Sequence, residues 1–194
     1  MDPFSLDRYL IRRKVFKLFG GAFHIYAWDD PERVCFYAEQ KAFKLKEDFT
    51  VFGEEAMTTP LLRIRARSVI DFSATYDIDC AKTGQRVGSC RRKGLKSILR
   101  DAWEVLDPQE RVIATCAEDS TALALIRRFL ANIVPQTYVL TSNDGAPLGS
   151  FRQFFNPFVF KMELDYGPDE RGVLDRRLGI GLAVCIMAIE GRQN

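Results

Sequence analysis

A chain of 194 residues with 47% apolar and 28% charged residues can bury one substantial core, and that balance excludes a disordered, collagenous or coiled-coil protein. The 28 Lys and Arg against 26 Asp and Glu leave a net charge of +2, too small for a field that draws a chain onto nucleic acid, so any anion-binding surface must be a local patch. The 15 Phe, 6 Tyr and 2 Trp favour half-buried strand positions and point toward β structure.

Residues 1–8 read as a lead-in and residues 9–194 as one domain. Asp2, Asp7, Arg8, Arg12 and Arg13 interrupt any apolar run near the start, so no secretory leader is expected. A first strand is predicted over 9–18, followed by Gly20-Gly21, read as turn glycines with positive φ, as is Gly84. Four strand–turn–strand units then recur. The first pairs 23–28 with 34–37 around Asp29-Asp30-Pro31-Glu32, and the second pairs 73–78 with 86–90 around residues 81–84. The third pairs 102–106 with 112–116 around Asp107-Pro108, and the fourth pairs 136–140 with 148–151 around Asn143-Asp144-Gly145. Alternating side chains on either side of turn-forming residues are the pattern of hairpins. With 49–52, 61–67 and 159–165 added, about twelve strands are expected, in a closed or sandwiched antiparallel sheet.

Two segments depart from this pattern. Asp119-Ser120 would cap an amphipathic surface helix running to about Ile133, with Leu123, Ile126, Leu130 and Ile133 on one stripe and Arg127 and Arg128 elsewhere. Asp175 is a plausible N-cap for a second helix, apolar on every face from Leu178 to Ile189. Such a helix has to be enclosed on all sides, and it is shorter than the ~20 residues that cross a bilayer. The expected enclosure is the protein's own sheet, with Gly179, Gly181, Ala183 and Ala188 letting strands approach. The fold class is therefore mainly β: an antiparallel closed barrel around a buried C-terminal helix.

Hairpin repeats ending in an all-apolar helix resemble the tubby C-terminal-like superfamily, in particular its LURP-one-related and phospholipid scramblase-like branch. The stretches that carry the resemblance are Tyr9 to Gly21, Ala38 to Lys44, Arg91 to Lys96, Trp103 to Asp107 and Asn156-Pro157, and it spans nearly the whole chain, from about Tyr9 to Ile189. It implies a twelve-stranded barrel threaded by a central helix, and association with lipid or a membrane surface. The Pro-rich arm and acylated cysteine cluster of eukaryotic scramblases are absent. The acidic segment before the last helix, with Asp165, Asp169, Glu170 and Asp175, lacks a D-x-D-x-D-G ladder, and a turn plus an N-cap is expected there instead of a calcium site. The phosphoinositide-binding residues of tubby proteins do not align onto this chain.

The candidate lipid- or anion-binding residues are Arg63, Arg65 and Arg67, which alternate with Leu62, Ile64 and Ala66 and so share one strand face, and the cluster Arg91, Arg92, Lys93 and Lys96. Arg12, Arg13 and Lys14 form a third basic run. Against this stands the plainer expectation of a solvated strand face whose charges pair with carboxylates. His24, the single histidine, reads as a packed or exposed strand residue, since neither a zinc set nor a nucleophile elbow accompanies it. Cys35, Cys80, Cys90, Cys116 and Cys185 form no C-x-x-C pair and suit a reducing cytoplasm. Among them Cys90, next to Arg91-Arg92-Lys93, invites a redox role, but an inert thiol is the expected reading. No G-x-G-x-x-G or Walker loop occurs, so no cofactor and no metal is expected.

These readings converge on a non-enzymatic module, cytoplasmic or peripheral to a membrane, that associates with anionic phospholipid. The competing expectation is a protein- or small-ligand-binding barrel with no membrane role. An enzyme using Asp101 or Glu104 at a barrel mouth ranks last.

Overall fold

The computed structural model describes residues 2–16, 20–41, 48–67, 74–93, 102–119, 136–154 and 159–190. After a single 3-10 turn at Pro3–Ser5, the strands are β1 (Arg8–Phe16), β2 (Gly20–Ala27), β3 (Val34–Lys41), β4 (Asp48–Phe52), β5 (Pro60–Ala66) and β6 (Thr75–Cys80). They continue as β7 (Arg86–Arg92), β8 (Ala102–Leu106), β9 (Val112–Glu118), β10 (Thr137–Ser142), β11 (Pro147–Phe154) and β12 (Phe160–Asp165), and helix α1 (Arg176–Glu190) follows. Each strand pairs antiparallel with its sequence neighbours, and β1 pairs with β12, so the sheet closes into the expected twelve-stranded barrel.

The hairpin repeat leaves a structural signature. The pairs β2–β3, β4–β5, β6–β7, β8–β9 and β10–β11 each shift register next to their turn, at Ile25/Tyr26, Val51/Phe52, Ile78/Asp79, Val105/Leu106 and Leu140/Thr141. Such irregularities bend and twist a sheet locally, as closure requires. At two of them, Gly88 and Gly149 have φ +155, and a Cβ there would collide with the Leu106 and Asp165 carbonyl oxygens respectively. Gly84 has φ +71, as its turn requires. Gly20 and Gly21 correct the reading of that pair as turn residues: they lie inside β2, opposite Phe16 and Val15.

Helix α1 fills the barrel. Asp175 is its N-cap: the carboxylate accepts from the Arg177 N–H at 2.9 Å, and the carbonyl accepts from Leu178 N–H at 2.9 Å and Gly179 N–H at 3.2 Å. From Leu178 to Ala188 no apolar side chain is more than 2% exposed. Around it stand the inward residues of the alternating strands, among them Tyr9, Ile11, Phe23, Ile25, Ile64, Ile78 and Trp103. The expected role of the small residues holds at Gly179 and Gly181, where a Cβ would lie 2.6 Å from the Tyr166 hydroxyl and 2.5 Å from Ile78 Cδ1. At the far end, Arg13 donates to the Met187 carbonyl at 3.2 Å, a cation set against the negative end of the helix. Arg13 is only 4% exposed, which corrects its placement in a surface basic run. The lead-in packs on the barrel, with the Phe4 ring 4.7 Å from Phe36 and the Tyr9 hydroxyl donating to the Pro3 carbonyl at 2.8 Å.

No helix among the described residues is long and apolar enough to cross a membrane. The helix predicted from residue 119 to 133 lies outside the described residues apart from Asp119, as do Lys96, Asp101 and Asn156-Pro157.

Candidate functional site

The outer surface carries two charged walls of opposite construction. The first spans β5 to β8 and contains most of the sequence candidates. Arg63 and Arg65 share one exposed face of β5, as their alternation predicts, and Arg67 is exposed one residue beyond the strand's end. Across the strand boundary stand Asp77 and Asp79 of β6. Arg65 reaches Asp79 at 2.5 Å, and Arg86 from β7 reaches Asp79 at 2.6 Å and Asp77 at 2.8 Å. Arg67 donates to Asp77 at 2.8 Å and grips Glu110 with both terminal nitrogens. One strand further, Arg91 and Lys93 meet Glu104 at 2.5 and 2.9 Å. Arg92 is half-buried in the alternate position. Among the described residues Arg63 makes no ion pair.

Burial pushes the Asp79 carboxyl up, but the Arg86 and Arg65 bonds outweigh it and hold the group below the usual carboxylate range. Glu104 follows the same balance, with Lys93 and Arg91 outweighing burial, while Arg67 holds Glu110 low. This wall is a closed lattice of cross-strand ion pairs. Arg65, Arg67, Arg86, Arg91 and Lys93 are already answered by the protein's own carboxylates.

The second wall lies on β11, β12, β1 and β2, where closure brings the two ends of the chain together. Register places Phe154, Lys161, Arg12 and His24 in one outward row, and Arg152, Glu163, Leu10 and Tyr26 in the next. A third row holds Ser150, Asp165 and Arg8, with Trp28 just beyond the end of β2. The three arginines here lie over rings. The Arg12 guanidinium is 4.7 Å from the Tyr26 centroid, Arg8 is 4.5 Å from Trp28, and Arg152 is 5.7 Å from Phe154. Trp28 and Phe154 stack at 6.4 Å and 21°, and His24 and Tyr26 at 6.1 Å and 14°. Arg8 is additionally bound by Glu163 and lies 3.7 Å from Asp165. Among the described residues Arg12, Arg152 and Lys161 make no ion pair. Tyr26, Trp28, Phe154 and Leu10 are each half-buried, so solvent reaches part of every one.

The remaining candidates resolve individually. His24 is a packed strand residue, 4% exposed, with Nε2 at 2.9 Å from Glu55 and its ring edge-on to Tyr37. The acidic segment is a turn and a cap. Asp169 accepts from Val173 and Leu174 N–H at 2.8 and 3.0 Å and pairs with Arg176, Asp165 accepts from Gly167 N–H, and Asp175 pairs with Arg177. Among the described residues no three His, Cys, Asp or Glu side chains gather as a metal site. Cys90 suits the inert reading. It faces the core at 0% exposure, and burial alone pushes its thiol well up, away from the reactive range. The thiol that sequence reasoning passed over is Cys80, half-buried at the barrel mouth. Bonds from the Thr83 hydroxyl and backbone outweigh burial there, and with the Lys82 backbone and the Arg177 charge they hold it below its ordinary value. Its signal was the alternation Tyr76, Ile78, Cys80 running to a strand end.

No family model matches the chain, and no curated protein matches it.

Proposed function

We propose that the chain is a non-enzymatic binding module whose cation–aromatic wall associates with anionic phospholipid surfaces, as a cytoplasmic protein peripheral to the membrane. The observation that carries this reading is the set Arg12, Arg152 and Lys161, without ion-pair partners among the described residues and interleaved with Tyr26, Trp28 and Phe154. Aromatic side chains with polar edges favour the headgroup level of a bilayer. Each nearby Lys or Arg contributes about 1 kcal/mol toward an anionic surface. Three such cations give roughly 3 kcal/mol, enough for weak, reversible, salt-sensitive association. The resemblance to the LURP-one-related and scramblase-like branch supports the same direction. Among the sequence candidates, Arg65, Arg67, Arg91 and Lys93 already hold carboxylates, so the proposed contact moves to the opposite wall, and Arg63 is exposed without an ion pair among the described residues.

Co-sedimentation with vesicles of phosphatidylserine in phosphatidylcholine tests this. The double variant Arg12→Glu with Lys161→Glu is expected to lower binding at least about tenfold, against a change within about threefold for Arg63→Glu. Equal partitioning of all three proteins, or equal binding to pure phosphatidylcholine, contradicts the proposal.

A second reading, a small-ligand-binding barrel with no membrane role, is favoured by a cavity at the end where the helix enters.

A further inference from the structure

The lead-in turn, the β4–β5 and β6–β7 connections and the first turn of α1 meet at one end of the barrel. Between them lies a cavity of about 730 Å³, within the size range of small-molecule sites. Phe4, Pro60, Leu61 and Ala81 give it apolar walls, and Cys80 and Lys82 stand on the β6–β7 side. The charges around it are unequally committed. Asp2 caps its own turn by accepting from Phe4 N–H at 3.0 Å, and Asp175 is held by Arg177 at 2.5 Å. Arg176 is divided between Asp169 at 2.9 Å and Asp7 at 3.1 Å. Lys82 is exposed and makes no ion pair among the described residues, so it is the cation of the lining that no carboxylate holds, while Asp2, also outside any ion pair there, is engaged by the Phe4 N–H. The positive end of α1 opens on the same space.

We propose that this cavity binds a single-chain amphiphile with an anionic head, the alkyl chain against Phe4, Pro60, Leu61 and Ala81 and the head at Lys82. This deepens the ligand-binding reading and does not depend on the membrane wall. The charge complementarity favours carboxylate or phosphate heads over neutral ones, and the apolar walls favour a chain over a bare anion.

Cys80 supplies the readout. Cys35, Cys90, Cys116 and Cys185 are buried, so a thiol reagent added to the folded chain reports on Cys80, and Cys80→Ser confirms the assignment. Decanoate, decyl phosphate, decanol and inorganic phosphate are the probes. Saturating decanoate or decyl phosphate is expected to slow labelling by about tenfold, with decanol weaker and inorganic phosphate without effect. Lys82→Glu is expected to weaken decanoate about tenfold and leave decanol unchanged. Ala81→Trp, which fills the chamber, is expected to abolish decanoate binding measured by titration calorimetry, a readout independent of the thiol. Arg12→Glu with Lys161→Glu should bind decanoate like the unaltered chain, which separates this site from the membrane wall. An unchanged labelling rate in saturating decanoate, or decanoate binding unaffected by both Lys82→Glu and Ala81→Trp, overturns the proposal.

Discussion

The β5–β8 wall and the β11–β2 wall are built from the same cation, arginine, on the same sheet, yet they present different chemistry. On the first, Arg65, Arg67, Arg86 and Arg91 face Asp77, Asp79, Glu104 and Glu110 across strand boundaries, and each guanidinium is answered within the protein. On the second, the residues opposite Arg12 are Lys161 and His24, so its nearest favourable surface is the Tyr26 ring. A count of basic residues does not distinguish the two. Whether the next row across carries carboxylates or rings decides if a cation is available to an outside anion.

Asp79 is the residue whose loss should disturb the β5–β8 wall most. Replacing it with Ala removes the shared partner of Arg65 and Arg86, and solvent around the half-exposed Arg65 moderates the cost. A loss of about 2 kcal/mol in urea unfolding is expected. A loss near zero would mean that the lattice does not act as a unit. Acid should act on the same wall. The folded-state pKa values of Asp79, Glu104 and Glu110 are depressed, so the stability they contribute is present above the unfolded values, about 4, and disappears as pH falls through the folded ones. The urea midpoint should therefore hold from neutrality to about pH 5 and fall below about pH 4, less steeply in Glu104→Gln. Removing Arg12 tests the other wall. Arg12→Ala loses a cation–ring contact, so a cost of about 0.5–1 kcal/mol is expected, together with weaker vesicle binding. Arg63→Ala should be the mildest change, within about 0.5 kcal/mol, because no ion pair is broken.

The strands and the plug were legible in the sequence for physical reasons. Alternation around turn residues located the eight strands of the four hairpin units, because the side-chain period of a strand is fixed by its geometry, and the other four were added as further strand candidates. The all-apolar run from Leu178 located the plug, because no half-exposed helix tolerates apolar residues on every face. The face shared by Arg63 and Arg65 was legible on the same ground. Their partners were not, because five register shifts and the closure of β1 on β12 decide which residue stands opposite which. Arg12 and Lys161 come from the two ends of the chain, and nothing local joins them. Arg13 is the opposite case. It follows Tyr9 and Ile11 at strand spacing, so alternation already pointed it inward, and its charge drew it into a surface cluster. Adjacency to Arg91 likewise says nothing about the face on which the Cys90 thiol lies, and that thiol is buried.

The most direct test of the proposed membrane contact uses the tryptophan of the β11–β2 wall. Of the two tryptophans, Trp28 is half-buried on that wall, while Trp103 is at 0% exposure in the core. Fluorescence is recorded while the protein is titrated with anionic vesicles containing brominated acyl chains. The account predicts quenching with a blue shift that disappears in Trp28→Phe. Emission that stays unquenched while the protein is vesicle-bound, or quenching that persists in Trp28→Phe, would contradict it.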